Sequence, residues 1–497
     1  MAYYNVLDEP WICIEDLFGA TRKAGIRETL KEAQNLRRIC DSSPLVSYGI
    51  QRMLIAFLMD ALRPQTVNDL ADILSDGAFN DIVICEYIKQ CNEDGESFNL
   101  FDERKPFYQS SFDERWDDDG KIRSIALLFH EQPSGNNHLH FDHRLQSQIA
   151  YSPEECVGGL CAVNVFCTAG LQGPSSINGA PPIFSLINGE SLFETLVMSM
   201  IAIRENQSIP FDNPPVAWRG GLTVEPNKSV PFTSVLYGLT WQARRVLLIS
   251  DDDGKVRNMY FQKGLKFEGF ESWRDPHVAY NIGKNGRSSL KPQESKALWR
   301  DIGTLLLPEQ SNADHFPPII INHCRRIYRN INSEKNIISV SIFGLVTNQA
   351  QYSSWLSGEL SIPGPILDHP DKALLIADLI HQAEILASEL RKSLYFAQGN
   401  SREQDLREQA LNSFFQTAGS VLYSKFYTDV AQADPEISEW NRNIIANWKK
   451  RLVHEAYNIF SSVCLRMGTN ARQLEKHVKA ELYFSKIMNK YLKDGDD

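Results

Sequence analysis

The stretch Cys156–Gly189, CVGGLCAVNVFCTAGLQGPSSINGAPPIFSLING, carries no Asp, Glu, Lys, Arg or His in a chain that is 23% charged. A run this neutral is either a membrane span or protein interior, and that choice decides the fold class. A spanning helix needs roughly 20 continuous apolar residues. Gly170, Gly173, Pro174, Gly179, Pro181 and Pro182 break the run into shorter pieces, so no membrane span is expected. Val163 to Phe166 is short and apolar and suits a buried strand or a helix segment equally. Thr168 to Gly179 is a loop of small residues, rich in backbone N–H groups and short polar side chains. Two readings stand: a loop that touches another polymer's backbone, or a tight loop packed into a core.

Working outward, 497 residues exceed the roughly 250–300 at which single cores stop growing, so two or more domains are expected. A hydrophobic fraction of 43% and an aromatic fraction of 10% exclude disorder as the main state. A net charge of −11 argues against a free-standing, high-affinity nucleic-acid binder. It leaves room for local basic patches, or for a subunit that borrows its partners' charge. Nine cysteines without a C-x-x-C pair fit reduced thiols and a cytoplasmic setting. The N-terminus, MAYYNVLDEPWICIEDLF, has no basic leader region and is not expected to be a signal peptide.

Local patterns give an α+β chain. After Ser42-Ser43-Pro44, Leu45 to Leu62 has helical periodicity, with Tyr48, Ile50, Met53, Leu54, Phe57, Leu58 and Leu62 at three- and four-residue spacing. Glu190 to Arg204 predicts an amphipathic helix, and Val235 to Ser250 a helix or a strand pair. Asp251-Asp252-Asp253-Gly254 suits a solvated hairpin turn better than a cation site. Ile337 to Val346 is β-rich and closes on Thr347-Asn348-Gln349-Ala350-Gln351-Tyr352. From Pro363 strand signals vanish. Asp368-His369-Pro370, the Ser401/Gln404 capping box, Asp434-Pro435 and Asn470/Gln473 open four long amphipathic helices. The expected architecture is a large mixed α/β N-terminal domain, 1–362, and a C-terminal four-helix bundle, 363–497.

Catalytic signatures are missing. There is no Walker-type phosphate loop, no G-x-S-x-G elbow, no H-E-x-x-H and no paired-carboxylate motif, so neither an enzyme nor a cofactor is expected. His138, His140 and His143 in EQPSGNNHLHFDH keep one alternative open, a metal-dependent hydrolase. A purely structural scaffold is the other. Tyr260–Gly269 (YFQKGLKFEG) interleaves aromatics with Lys263 and Lys266, and Asn322–Arg329 (NHCRRIYR) is a second basic patch.

Seven segments in order resemble one family. They are NVLDEPWI, SPLVSYGIQRMLIAFL, KPFYQ, SGNNHLHFDH, INGAPPIFSLINGESLFETL, FQKGLKFEGF and GLVTNQAQ, followed by the helical bundle. The family is CasA, the large subunit of the Cascade complex in type I-E CRISPR systems. The resemblance implies a non-nuclease that recognises a protospacer-adjacent motif beside a double-stranded DNA target, helps open the duplex, and docks a helicase–nuclease. Guide CRISPR RNA and other Cascade subunits would be partners, without a membrane. It further implies a glycine loop at Gly170, Leu171, Gln172 and Gly173. A minor-groove lysine falls at Lys266, with Lys263 as second choice, and a wedge at Asn348, Gln349 and Ala350. The contact with the 5′ handle of the guide RNA would include His140 and Phe141.

Overall fold

The structure is a computed structural model that describes residues 2–493, apart from 117–121, 133–148, 171–172, 206–208, 285, 295, 307–314, 332–336, 349–350, 399–403, 435–437 and 469. The chain divides into two compact units. One holds residues 1–292, 318–334 and 339–359; the other holds 293–317, 335–338 and 360–497.

The first unit is built around helix α1, Pro44–Leu62. Ser43 caps it by accepting from the Val46 N–H, Pro44 presets the first turn, and Arg63 ends it in the left-handed conformation (φ 49°). By length and composition α1 could cross a membrane, yet 89% of its most apolar window is buried inside the protein. It is therefore a core helix. Arg52 points from it into the interior, where its guanidinium grips Asp275 with two bonds of 2.6 and 3.1 Å. The Leu239 carbonyl at 2.9 Å and the Tyr48 hydroxyl at 3.1 Å take further Arg52 protons. Asn178 reaches the same carboxylate at 2.8 Å, tying the neutral segment to α1.

Helix α2, Pro153–Phe166, opens on a capping box between Ser152 and Glu155. Val163 to Phe166 is thus the last turn of a helix. Its contact with α1 is close because α1 carries Gly49 there: an added Cβ would meet the Cys161 carbonyl at 2.7 Å. The described residues between 167 and 183 then loop into strand β1, Phe184–Asn188. The helix expected over 190–204 is shorter, Leu192–Met198, with a 3-10 turn at Ile203–Glu205. Ser199 shows why. Its hydroxyl accepts from the Ile187 N–H (3.2 Å) and its carbonyl accepts from His277, tasks that take the chain out of the helical path.

Strands β2, Arg244–Ser250, and β3, Val256–Lys263, form an antiparallel hairpin in register from Arg244↔Lys263 to Ser250↔Val256. Ile122–Ser124 pairs on the outer edge of β3. The turn between β2 and β3 is the acidic run: Arg257 bridges Asp251 (2.6 Å) and Asp253 (2.8 Å), holding the Asp253 carboxyl down at about 2. Strand β4, Lys266–Phe267, follows and pairs in parallel with Ser229–Val230. Strand β5, Ile337–Asn348, lies between β1 and β6, Gln351–Pro363.

The second unit is the four-helix bundle of α3 (Pro370–Gln398), α4 (Gln404–Val421), α5 (Ser438–Arg466) and α6 (Ala471–Lys493). A π-helical turn at Leu422–Phe426 and a short helix at Tyr427–Gln432 extend α4. Asn470 caps α6 by accepting from the Gln473 N–H at 2.9 Å. Residues 293–317 join these helices, although nothing in the local sequence assigns them there.

Candidate nucleic-acid interface

The glycine loop grows out of the end of α2. Asn164, the polar residue in that apolar turn, accepts from the Arg244 N–H at 2.8 Å and so fixes α2 to the start of β2. The loop base closes where the Ser176 N–H donates to the Cys167 carbonyl (3.1 Å). Its tip closes where Gly170 and Gly173 exchange both backbone hydrogen bonds, at 3.0 and 3.1 Å. Ala169 and Gly170 are exposed, Gly173 is buried, and Leu171 and Gln172 lie outside the described residues.

Gly173 sits at φ +143°, where L side chains are rarely found, and an added Cβ would lie 2.7 Å from Arg244 Nη1 and 3.3 Å from Lys263 Cα. The loop is therefore seated on the open end of the β2–β3 hairpin, directly beside Lys263. Lys263 is exposed, and no carboxylate among the described residues pairs with it. Lys266 differs: its ammonium is 3.0 Å from Glu268, which also accepts from the Ser229 hydroxyl at 2.8 Å. Those two bonds hold the Glu268 carboxyl below its usual range.

The wedge residue Asn348 ends β5, and Gln349 and Ala350 lie outside the described residues. Topology still says which way this hairpin runs. β5 is antiparallel to β1 with Phe343 opposite Phe184, so beyond Phe343 it heads toward the side from which the loop segment enters β1. Tyr352 and Trp355 stack on β6, 6.4 Å between ring centroids, with Trp355 46% exposed. His138, His140, Phe141 and His143 lie outside the described residues. Among the described residues, no group of three or more His, Cys, Asp or Glu side chains is placed to hold a metal ion.

Sequence reasoning passed over Arg244. It is 3% exposed and donates to the carbonyls of Pro174 (2.5 Å), Thr168 (2.8 Å) and Ala243 (3.0 Å). The available signal was Arg244-Arg245 standing between Trp241 and the apolar run Val246–Ile249, since cations at the head of a buried strand need partners.

The described residues thus hold a loop fastened to a strand pair, with an exposed lysine at its side. The family model for CRISPR-associated protein Cse1 matches residues 5–459, and the chain belongs to that family. Thermus thermophilus CasA (Cse1) superposes with a TM-score of 0.75 at 21% identity, covering 99% of this chain and 100% of that one. Cse1 from Acidimicrobium ferrooxidans gives 0.77 at 15% identity over 100% of both chains. A chain of a CRISPR RNA-guided surveillance complex gives 0.75 at 16% identity, over 97% of this chain and 100% of that one. No curated protein matches in sequence.

Proposed function

We propose that this chain is the large subunit of a cytoplasmic, RNA-guided DNA surveillance complex. In it the chain recognises the protospacer-adjacent motif in double-stranded DNA, helps open the duplex for R-loop formation, and offers the docking surface for a helicase–nuclease. Family membership and the likeness to a chain of an RNA-guided surveillance complex support placing it with guide RNA and other Cascade subunits. The chain itself is non-catalytic in this reading; strand cleavage belongs to the recruited enzyme.

One observation supports the motif-reading part: a loop that exposes Gly170 is seated, through Gly173, against the strand that carries the exposed Lys263. The minor groove separates A·T from G·C mainly by the guanine amino group. A backbone without side chains can approach that groove closely, and a lysine with no acidic partner among the described residues brings a donor and a positive charge. Guide RNA pairing reads the rest of the target, leaving the protein only the short motif. Gln349, which follows Asn348 at the end of β5 in the chain, would enter the first target base pair. Unstacking there costs a few kcal/mol, offset as guide pairing proceeds.

In a reconstituted complex, Lys263→Ala is expected to weaken binding of motif-bearing duplex at least ten-fold while leaving guide-RNA assembly intact. A gel-shift titration at fixed salt measures this. Unchanged affinity would remove Lys263 from the reading element.

A further inference from the structure

We infer that Arg244 is a positioning residue that fixes both legs of the glycine loop, at Thr168 and Pro174, against the strand pair that carries Lys263. The inference rests on the motif-reading assignment above and goes beyond it by naming what holds the reading element in shape. The loop leaves the body of the protein at Cys167 and returns at Ser176. Inside that excursion lies one guanidinium. Its Nη2 donates to the outgoing strand at the Thr168 carbonyl, 2.8 Å, and its Nη1 to the returning strand at the Pro174 carbonyl, 2.5 Å. Arg244 is thus bonded to both legs of the loop, while its own backbone is bonded to α2 through Asn164 and lies opposite Lys263 in the β2–β3 register.

Only arginine can do this. The planar fork carries donors that diverge at fixed angles, whereas a lysine ammonium is a point donor on a flexible stem. The guanidinium is satisfied by carbonyl oxygens, and no carboxylate among the described residues neutralises it. Its full charge therefore lies directly under the loop backbone, adding to the positive field that Lys263 projects.

The arrangement also separates the two glycines. Gly173 is bare because its backbone presses on the guanidinium, 2.7 Å from an added Cβ to Nη1. Gly170 has nothing within 4 Å of an added Cβ, so the fold itself does not demand glycine there. Of the two, Gly170 is the one whose bareness only a ligand would use.

The test has two readouts. In the free protein, hydrogen exchange on Arg244→Gln and Arg244→Lys is expected to show amides of 168–176 exchanging at least ten-fold faster, with those of β2 and β3 still protected. Unchanged protection of the loop would overturn the clamp whatever the loop binds. In the reconstituted complex, the ratio of affinities for motif-bearing and motif-scrambled duplex is expected to fall at least ten-fold in both variants, Lys included. An equal loss for both duplexes, or full rescue by Lys, would reduce Arg244 to a structural or purely charge role and overturn the inference. If the Arg244 variants fail to assemble, Gly173→Ala disturbs the same contact from the loop side and must lower the ratio likewise. Lys263→Ala separates the levels. If it abolishes discrimination while the Arg244 and Gly173 variants keep it, the clamp fails and the motif-reading assignment stands. If none of these variants changes discrimination, the assignment itself fails.

Discussion

Gly170 and Gly173 look interchangeable in sequence, and the structure gives them opposite surroundings. An alanine at 173 must adopt φ +143° and push into Arg244, whereas an alanine at 170 enters open space. Strained backbone of that kind costs of order 1–3 kcal/mol. Gly173→Ala is therefore expected to lower the unfolding free energy by about that amount. Gly170→Ala should stay within about 0.5 kcal/mol of the parent, yet weaken motif-bearing duplex in the assembled complex. Thermal melts beside a binding titration check both; a stability loss at 170 equal to that at 173 would contradict the assignment. The choice between Lys263 and Lys266 was illegible for a related reason. Both stand in YFQKGLKFEG, and only the fold reveals that one lies against the loop while the other lies against Glu268.

Elements were easier to read than their roles. The Leu45–Leu62 periodicity and the four C-terminal helices follow from spacing and caps that are local in sequence. The reason α1 stays put is not local, because Asp275 lies far along the chain from Arg52. The same core polar network makes a pH prediction. His277 donates its Nε2 proton to the Ser199 carbonyl at 2.9 Å, and its Nδ1 accepts from Tyr48 (3.1 Å), with Arg52 and Asp275 as the charged neighbours. Burial lowers its pKa from 6.5 to about 4, outweighing the opposing pull of Asp275. A folded-state pKa below the unfolded one means the unfolded chain takes up a proton that the fold refuses. Stability from this group is complete above about pH 6.5 and drains away toward pH 4, by at most about 1.4 kcal/mol per pH unit. Urea unfolding between pH 7.5 and 5 should show that fall. In His277→Gln, less stable at neutral pH, the dependence should flatten by up to one proton. A pH profile parallel to the parent's would show that His277 does not supply the slope. His323, also lowered to about 4 by burial, supplies a residual dependence in both proteins.

At the scale of the molecule, the sequence places the change of character at Pro363, and the strands do give way to helices there. It could not show that 293–317 belongs with those helices. The tie is Trp299, which donates to the Phe415 carbonyl (3.0 Å) across 116 residues and lies where an added Cβ at Gly419 would meet its indole at 2.5 Å. Arg300 then stacks over Phe415, 3.7 Å from the ring centroid, and pairs with Glu384. Trp299→Ala should therefore destabilise the helical unit by about 3–5 kcal/mol, read as earlier loss of helix signal in urea. A change below 1 kcal/mol would deny 293–317 a part in that core.

Net charge is the other whole-molecule property, and it sharpens the choice of lysine. A chain at −11 has no excess of cations for phosphate contacts, so each contact must come from a locally uncompensated base. Each phosphate charge neutralised adds about 0.9 to the slope of log K against log salt. In the proposed complex Lys266 would enter the DNA field together with Glu268, a nearly neutral pair, whereas Lys263 would enter with no carboxylate partner among the described residues. Lys263→Ala in the assembled complex should thus reduce the salt slope by about one, and Lys266→Ala by clearly less. Titrations across a salt series measure both slopes. The reverse order would return the contact to Lys266 and require Glu268 to let go of it on binding, which Glu268→Gln would then reproduce as a gain in affinity.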